Sequence, residues 1–204
     1  MITNSTLKVK ADEVEPIKNT KDIMKVKQYL LGKSNKRDYM LFVVGINVGL
    51  RAGDLLRLKI KDIMLDGTII DKVVLYEEKT DKKRAFELND SSKAAIRLYL
   101  DTMQDVDYEA YLFKSRKGSG ALTVESAHKI IKTTLRELNI KVNYGTHSLR
   151  KTFAYLSYMN NIRTNPTIIN TLQKMLNHSS ASVTLRYIGI TKEVISDVYN
   201  SLNL

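Results

Sequence analysis

THSLRKTFAYL, residues 146–156, sets two polar and chemically competent side chains, His147 and Arg150, inside an otherwise apolar run. Their spacing of three residues puts both on one face of a helix, which the pattern places at about 148–159 with Thr146 just ahead of it. Two further stretches share this character. GLRAGDLLRL, 49–58, carries Arg51 at the junction of two apolar helices. LNHSSASVTLRYI, 176–188, carries His178 and, nine positions later, Tyr187. Taken singly, each has an ordinary explanation. An arginine at a helix junction is more often a cap or a surface ion pair. A His/Arg pair on a helix can be a satisfied polar face, and a tyrosine among apolar neighbours is core by default in a chain with 11 of them. The order and spacing of the three stretches carry the argument.

Outward from these stretches the chain is mostly helical. Thr20 can cap a helix to about Leu31 that stops at Gly32. A largely buried helix spans about 35–48 and ends at Gly49, and a short one follows over 52–58. TIIDKVVLY, 68–76, and RAFEL, 84–88, are rich in β-branched and aromatic residues and flank the polar EEKTDKK, so they read as a β-hairpin or small antiparallel sheet. Helical patterns follow at 91–104, 123–139 (capped by Thr123), 148–159, 166–176 (started by Pro166) and 191–202, with a short turn near 180–186. NNIRTNPT, 160–167, reads as an enlarged loop. The fold class expected is α+β: a mainly helical domain over 16–190 with a small antiparallel sheet, a polar leader at 1–15 and a tail helix at 191–204.

Composition narrows the function classes. With 33 Lys and Arg against 22 Asp and Glu the formal charge is +11, which favours a polyanionic partner, nucleic acid above all. The excess is local: 129–163 holds seven basic residues and one acid, Glu137, whereas the stretch from Thr191 onward is slightly acidic. No apolar run reaches the roughly 18 residues of a membrane span, and the N-terminus lacks a secretory pattern, so the expected setting is cytoplasmic. The absence of cysteine excludes disulfides, thiolate zinc sites and cysteine nucleophiles. KSRKGSGALT, 114–123, is a basic glycine-containing loop without the ending of a phosphate-binding P-loop.

In register, G-L-R-x-x-D-L, H-x-L-R-K-T-F-A and L-x-H-S-S-x-x-x-T-x-R-Y-I resemble the tyrosine recombinase (phage integrase) family over about residues 16–188. The resemblance implies a mainly helical catalytic domain that breaks and rejoins DNA through a covalent 3′-phosphotyrosyl link. It places the two arginines at Arg51 and Arg150, the histidines at His147 and His178, and the nucleophile at Tyr187. The hairpin lysine is best matched by Lys79, with Lys82 and Lys83 as competitors. It further implies double-stranded DNA as partner, a homo-oligomer of up to four protomers on DNA, scope for an accessory DNA-bending protein, and a bacterial or phage setting. Two departures stand out. Asn177 replaces the commoner glycine, and asparagine tolerates a left-handed turn. Arg51 comes too early to leave room for the separate helical DNA-binding domain of typical members, so the chain is similar to the small single-domain recombinases that invert bacterial promoter segments.

The residue types suit this chemistry. Attack on a phosphodiester builds charge on its non-bridging oxygens, and guanidinium forks match that geometry without a metal or other cofactor. The acids form no carboxylate cluster for a two-metal mechanism. A tyrosine hydroxyl, with an ordinary pKa of about 10, needs a base or electrostatic help. His147 fits that role, with His178 donating to the phosphate and the hairpin lysine protonating the departing 5′ oxygen, as the resemblance implies. Asp54, one turn past Arg51, is a candidate for orienting its guanidinium. Two rivals remain open at this point: DNA relaxation of the type IB topoisomerase kind, and a DNA-binding relative without activity. In the tail, Val194, Ile195, Val198, Tyr199 and Leu202 form one apolar stripe, expected to pack either on its own domain or on a neighbouring protomer.

Overall fold

The computed structural model describes residues 14–79, 81–141 and 143–190; nearly all of the expected leader and the whole tail, 191–204, lie outside the described residues. The expected helices that fall within the described residues are present with shifted ends. Helix α1 (Thr20–Gly32) is capped by the Asn19 side chain rather than by Thr20, and it runs through Gly32. Helix α2 (Lys36–Val48), capped by Asn35, is apolar almost all round and is buried accordingly. It ends where Gly49 turns left-handed (φ 60°). The short α3 (Ala52–Leu56) follows with Arg51 as its extended N-cap.

The sheet region differs from the sequence reading. In place of one long strand over 68–76, a one-turn helix α4 (Ile60–Ile63) leads into β1 (Met64–Leu65), which pairs with β2 (Thr68–Ile69). A separate antiparallel pair follows, β3 (Lys72–Tyr76) with β4 (Lys83–Glu87). Asp66 and Gly67 both have positive φ, the conformation of a two-residue hairpin turn whose twist matches its strands. That turn draws Thr68 and Ile69 back onto β1, so the apolar run breaks into two sheets.

Helix α5 (Asp90–Leu100) is capped by Asn89, and α6 (Val124–Glu137) by Thr123. Helix α7 (Thr146–Asn161) begins earlier than its pattern suggested, at Thr146 with Gly145 as its N-cap, so His147 lies in its first turn. Pro166 stands just before α8 (Ile168–Leu176) rather than inside it; Asn165 accepts the Thr167 N–H there. The turn expected near 180–186 is a full helix, α9 (Ala181–Ile188), with Ser180 as cap and Tyr187 in its last turn.

Three apolar clusters hold these elements. The largest joins α2 to α5, both sheets and Phe113. A second joins Ile17, α1 and α6 to Phe42 and Leu149. The third is small: Ala154, Leu176, Ile188 and Ile190, flanked by Phe153, Tyr158 and Leu185. The residues singled out from sequence gather where α7 runs from the second cluster into the third.

Candidate active site

Arg150 is the hub of the site. It is buried (3% exposed), and its guanidinium donates to two backbone carbonyls: Nη1 to Gly49 at 2.7 Å and Nη2 to Leu176 at 2.8 Å. Each carbonyl belongs to a helix C-terminus closed by a left-handed residue, Gly49 after α2 and Asn177 (φ 52°) after α8. Helix ends leave carbonyls unpaired and carry partial negative charge, so one arginine satisfies two of them at once. Gly49 has no alternative, because a Cβ there would lie 2.2 Å from the Phe153 ring as well as requiring positive φ.

The β3–β4 hairpin supplies the counter-charge. Glu77 is buried (3% exposed) and holds Arg84 through Oε1 at 3.1 Å and Arg51 through Oε2 at 2.6 Å. The contact with Arg51 is a close ion pair, since its N–H vectors do not line up with the oxygen. Arg84 also donates to the Gly49 carbonyl at 3.2 Å, which links the hairpin to the Arg150 hub. Asp54, the residue expected to orient Arg51, instead accepts the Glu78 N–H at 2.9 Å and fastens the hairpin turn to α3. Glu77 is the carboxylate on Arg51. Neither Glu77 nor Arg84 was singled out from sequence, yet period-2 alternation extended from buried Val73 through Leu75 reaches Glu77, and back from Phe86 reaches Arg84. An acid and an arginine on the apolar parity of a hairpin were the available clue.

Lys79 sits exposed in the hairpin turn, and no contact among the described residues ties it to this cluster. Lys82 and Lys83 line a groove of about 560 Å³ between the hairpin and the α7–α8 region, bordered by Arg84, Phe153 and Asn177. That groove lies beside the arginines, and its lining includes none of Arg51, His147, His178 or Tyr187.

Tyr187 is half-buried between two groups. The Lys151 ammonium lies 4.9 Å from its ring centroid, and the His178 ring meets it edge-on with centroids 4.9 Å apart. Lys151, next to Arg150 in α7, is itself buried and was not singled out from sequence. His178 is held by Nδ1 against the Thr184 hydroxyl at 3.1 Å.

The electrostatics tie these groups together. Burial pushes the Arg150 guanidinium down to about 10, with Tyr187 opposing and Arg84 and Arg51 adding to the shift; it stays charged at neutral pH. Arg84 is lowered by burial, against which Glu77 pulls upward. His178 is lowered by desolvation and then by Arg150 and Arg51. His147 is lowered by desolvation, then by Arg150, Lys151, His128 and Arg51. The residue as a whole is exposed, so solvent weakens that desolvation, but every contribution has the same sign and the direction stands. The structure therefore gathers Arg51, His147, Arg150, His178 and Tyr187 and leaves Lys79 on an exposed turn.

The phage integrase family profile matches residues 14–193. A Bacillus subtilis (strain 168) protein named probable integrase/recombinase YoeC is 40% identical over 186 residues, covering 91% of this chain and 95% of its own. The tyrosine recombinase XerC of Caldanaerobacter subterraneus is 30% identical over 83% of this chain but only 46% of its own length, so this chain spans about half of it. Among solved structures, XerA recombinase aligns with TM-score 0.70 at 22% identity, covering 94% of this chain and 64% of its own. XerH recombinase in a post-cleavage complex with its difH substrate aligns at 0.69 and 24%, covering 97% and 56%. At these identities the structural likeness establishes the fold, a tyrosine recombinase catalytic domain.

Proposed function

The chain belongs to the phage integrase family, and from that premise we propose that it is a site-specific DNA recombinase that cuts and rejoins strands through a 3′-phosphotyrosyl link at Tyr187. The observation that carries the reading is the cluster itself: Tyr187 and two histidines beside two arginines, around a helix-end hub that holds Arg150 rigid. Arg51 is a quarter exposed and so within reach of a scissile phosphate, and Arg150 adds a second charge. Together they stabilise the charge that develops on the non-bridging oxygens. His147, neutral at pH 7 because its pKa is lowered, is suited to accept the Tyr187 proton, and His178 to donate to the phosphate. The Tyr187 oxygen attacks phosphorus, the 5′ oxygen departs with a proton from Lys79, and rejoining reverses the step. The phosphodiester energy is stored in the covalent link, so ATP is not required, and the arginines supply the charge that a metal would otherwise bring.

Relatives named integrase and recombinase favour strand exchange over simple relaxation. The XerH neighbour, solved with its difH substrate, supports DNA as partner. The family resemblance further implies double-stranded DNA, an assembly of up to four protomers on it and an optional DNA-bending helper. The tail at 191–204 is assigned to docking on its own domain or a neighbour. No helix among the described residues is long and apolar enough to cross a membrane. The proposed action on DNA goes with a cytoplasmic setting.

The test is Tyr187→Phe. With suicide duplexes tiled across the DNA flanking its gene, the wild type forms a denaturant-resistant adduct with or without chelator. The Phe variant forms none while its non-covalent binding is retained. An adduct on the Phe variant, or a Mg²⁺ requirement for cleavage, overturns the mechanism.

A further inference from the structure

Thr184 is wholly buried in α9 (0% exposed), one turn before the nucleophile, and its hydroxyl has two neighbours. His178 Nδ1 lies at 3.1 Å and the Ser180 carbonyl at 3.2 Å. A hydroxyl has one proton to give, and a carbonyl can only accept. Two arrangements are therefore open to a neutral His178. In the first, Nδ1–H donates to Thr184 Oγ1 and the hydroxyl donates to Ser180; Nε2 is then bare and cannot donate. In the second, the hydroxyl turns to donate to Nδ1, and the ring proton sits on Nε2. Ser180 loses little by this, because its carbonyl also accepts the Thr184 backbone N–H at 3.2 Å.

We propose that Thr184 is a positioning residue that switches the tautomer of His178, keeping the proton on Nδ1 in the free enzyme and releasing it to Nε2 when a phosphate arrives. The proposal rests on the reading of His178 as phosphate donor. The surroundings give each arrangement its occasion. Without DNA, the first arrangement makes two side-chain hydrogen bonds instead of one. A phosphate offers Nε2–H the acceptor that the second arrangement needs. Burial, with Arg150 and Arg51, keeps the ring neutral at physiological pH, so the choice is between tautomers rather than between neutral and charged forms. Protons balance: Nδ1 gives one to solvent and Nε2 takes one, and the hydroxyl only rotates. The hydroxyl's bond back to Ser180 is also what a plain helix residue would make, so the test must separate the two roles.

The chain has three histidines, His128, His147 and His178, so the His178 ring nitrogens are assignable by ¹⁵N NMR with single His→Gln variants. In the otherwise wild-type protein we expect the Nδ1–H tautomer. In the Tyr187→Phe protein bound to a flanking-DNA duplex we expect Nε2–H. The same tautomer in both states overturns the switch. In cleavage assays Thr184→Val is expected to slow adduct formation roughly tenfold or more, short of the hundredfold or more typical of losing an acid–base group itself, and Thr184→Ser to recover most of the rate. In a His178→Ala background Thr184→Val should slow it no further. An equal loss in both backgrounds reduces Thr184 to a packing residue. If His178→Ala alone cleaves at the wild-type rate, the donor reading of His178 fails, while the NMR comparison still decides the tautomer on its own terms.

Discussion

Arg150 and Tyr187 belong to one site but are held by unequal amounts of structure. Arg150 is fixed by two carbonyls from helices far apart in sequence, beside the cluster that packs Leu149 and α6. Tyr187 rides on α9, whose buried apolar attachment among the described residues is the small cluster of Ala154, Leu176, Ile188 and Ile190. Fewer buried apolar contacts mean a lower free energy of local opening. On the reading proposed above, the phosphate-binding charge is the more firmly held half of the site, and Tyr187 is the half that opens more readily.

The largest expected effect comes from the fixed half. Arg150→Ala leaves the Leu176 carbonyl without this donor and the Gly49 carbonyl with Arg84 alone, a cost of about 1–3 kcal/mol for a buried unsatisfied group, and removes one of the two arginines proposed to bind phosphate. Cleavage should fall by roughly a hundredfold or more and the melting temperature by several degrees. A variant that melts like the wild type would show that the hub is not structural, and the contrast between the halves would collapse.

The next test addresses the loosely held half. Ile188→Ala empties part of the small cluster and should cost about 2–5 kcal/mol, confined to α8 and α9. Hydrogen exchange should quicken at the α9 amides and stay slow in α2. If α2 amides quicken equally, the halves open as one unit.

The smallest effect is a pH dependence. His147 and His178 have folded values below the ordinary 6.5, so the unfolded chain binds their protons first. Their contribution to stability is complete above about 6.5 and is lost as pH falls through the folded values. The melting temperature should decline between about pH 7 and 5, and His178→Gln should flatten that decline more than His147→Gln, because His147 is exposed and better screened. Equal flattening would contradict the burial difference.

Much of this was legible beforehand. The helices announce themselves by period and cap, and the three polar stretches lie together in space. Asn177 does adopt the left-handed turn that its substitution for glycine required. What escaped notice was decided by tertiary contact or by short turns. The Asp66–Gly67 turn divides a strand that β-propensity alone would leave whole. Helical spacing makes Asp54 a candidate for orienting Arg51, but the hairpin brings Glu77 onto that guanidinium from 26 residues further along the chain. Lys151 reads as one more basic residue in a basic segment until α9 is folded against it. Sequence spacing describes neighbours on one element and is silent about what another element brings.

Arg150 reaches its two carbonyls across separations of 101 and 26 residues. Neither bond exists until α2 and α8 have docked on α7, and contacts this distant in sequence carry the entropy of long loops and form late. A growing or half-unfolded chain therefore owns a tyrosine and several arginines but no assembled hub. The DNA cutting proposed for this chain would then arrive only with the finished fold, and the same bonds that aim the arginine would serve as its safety catch.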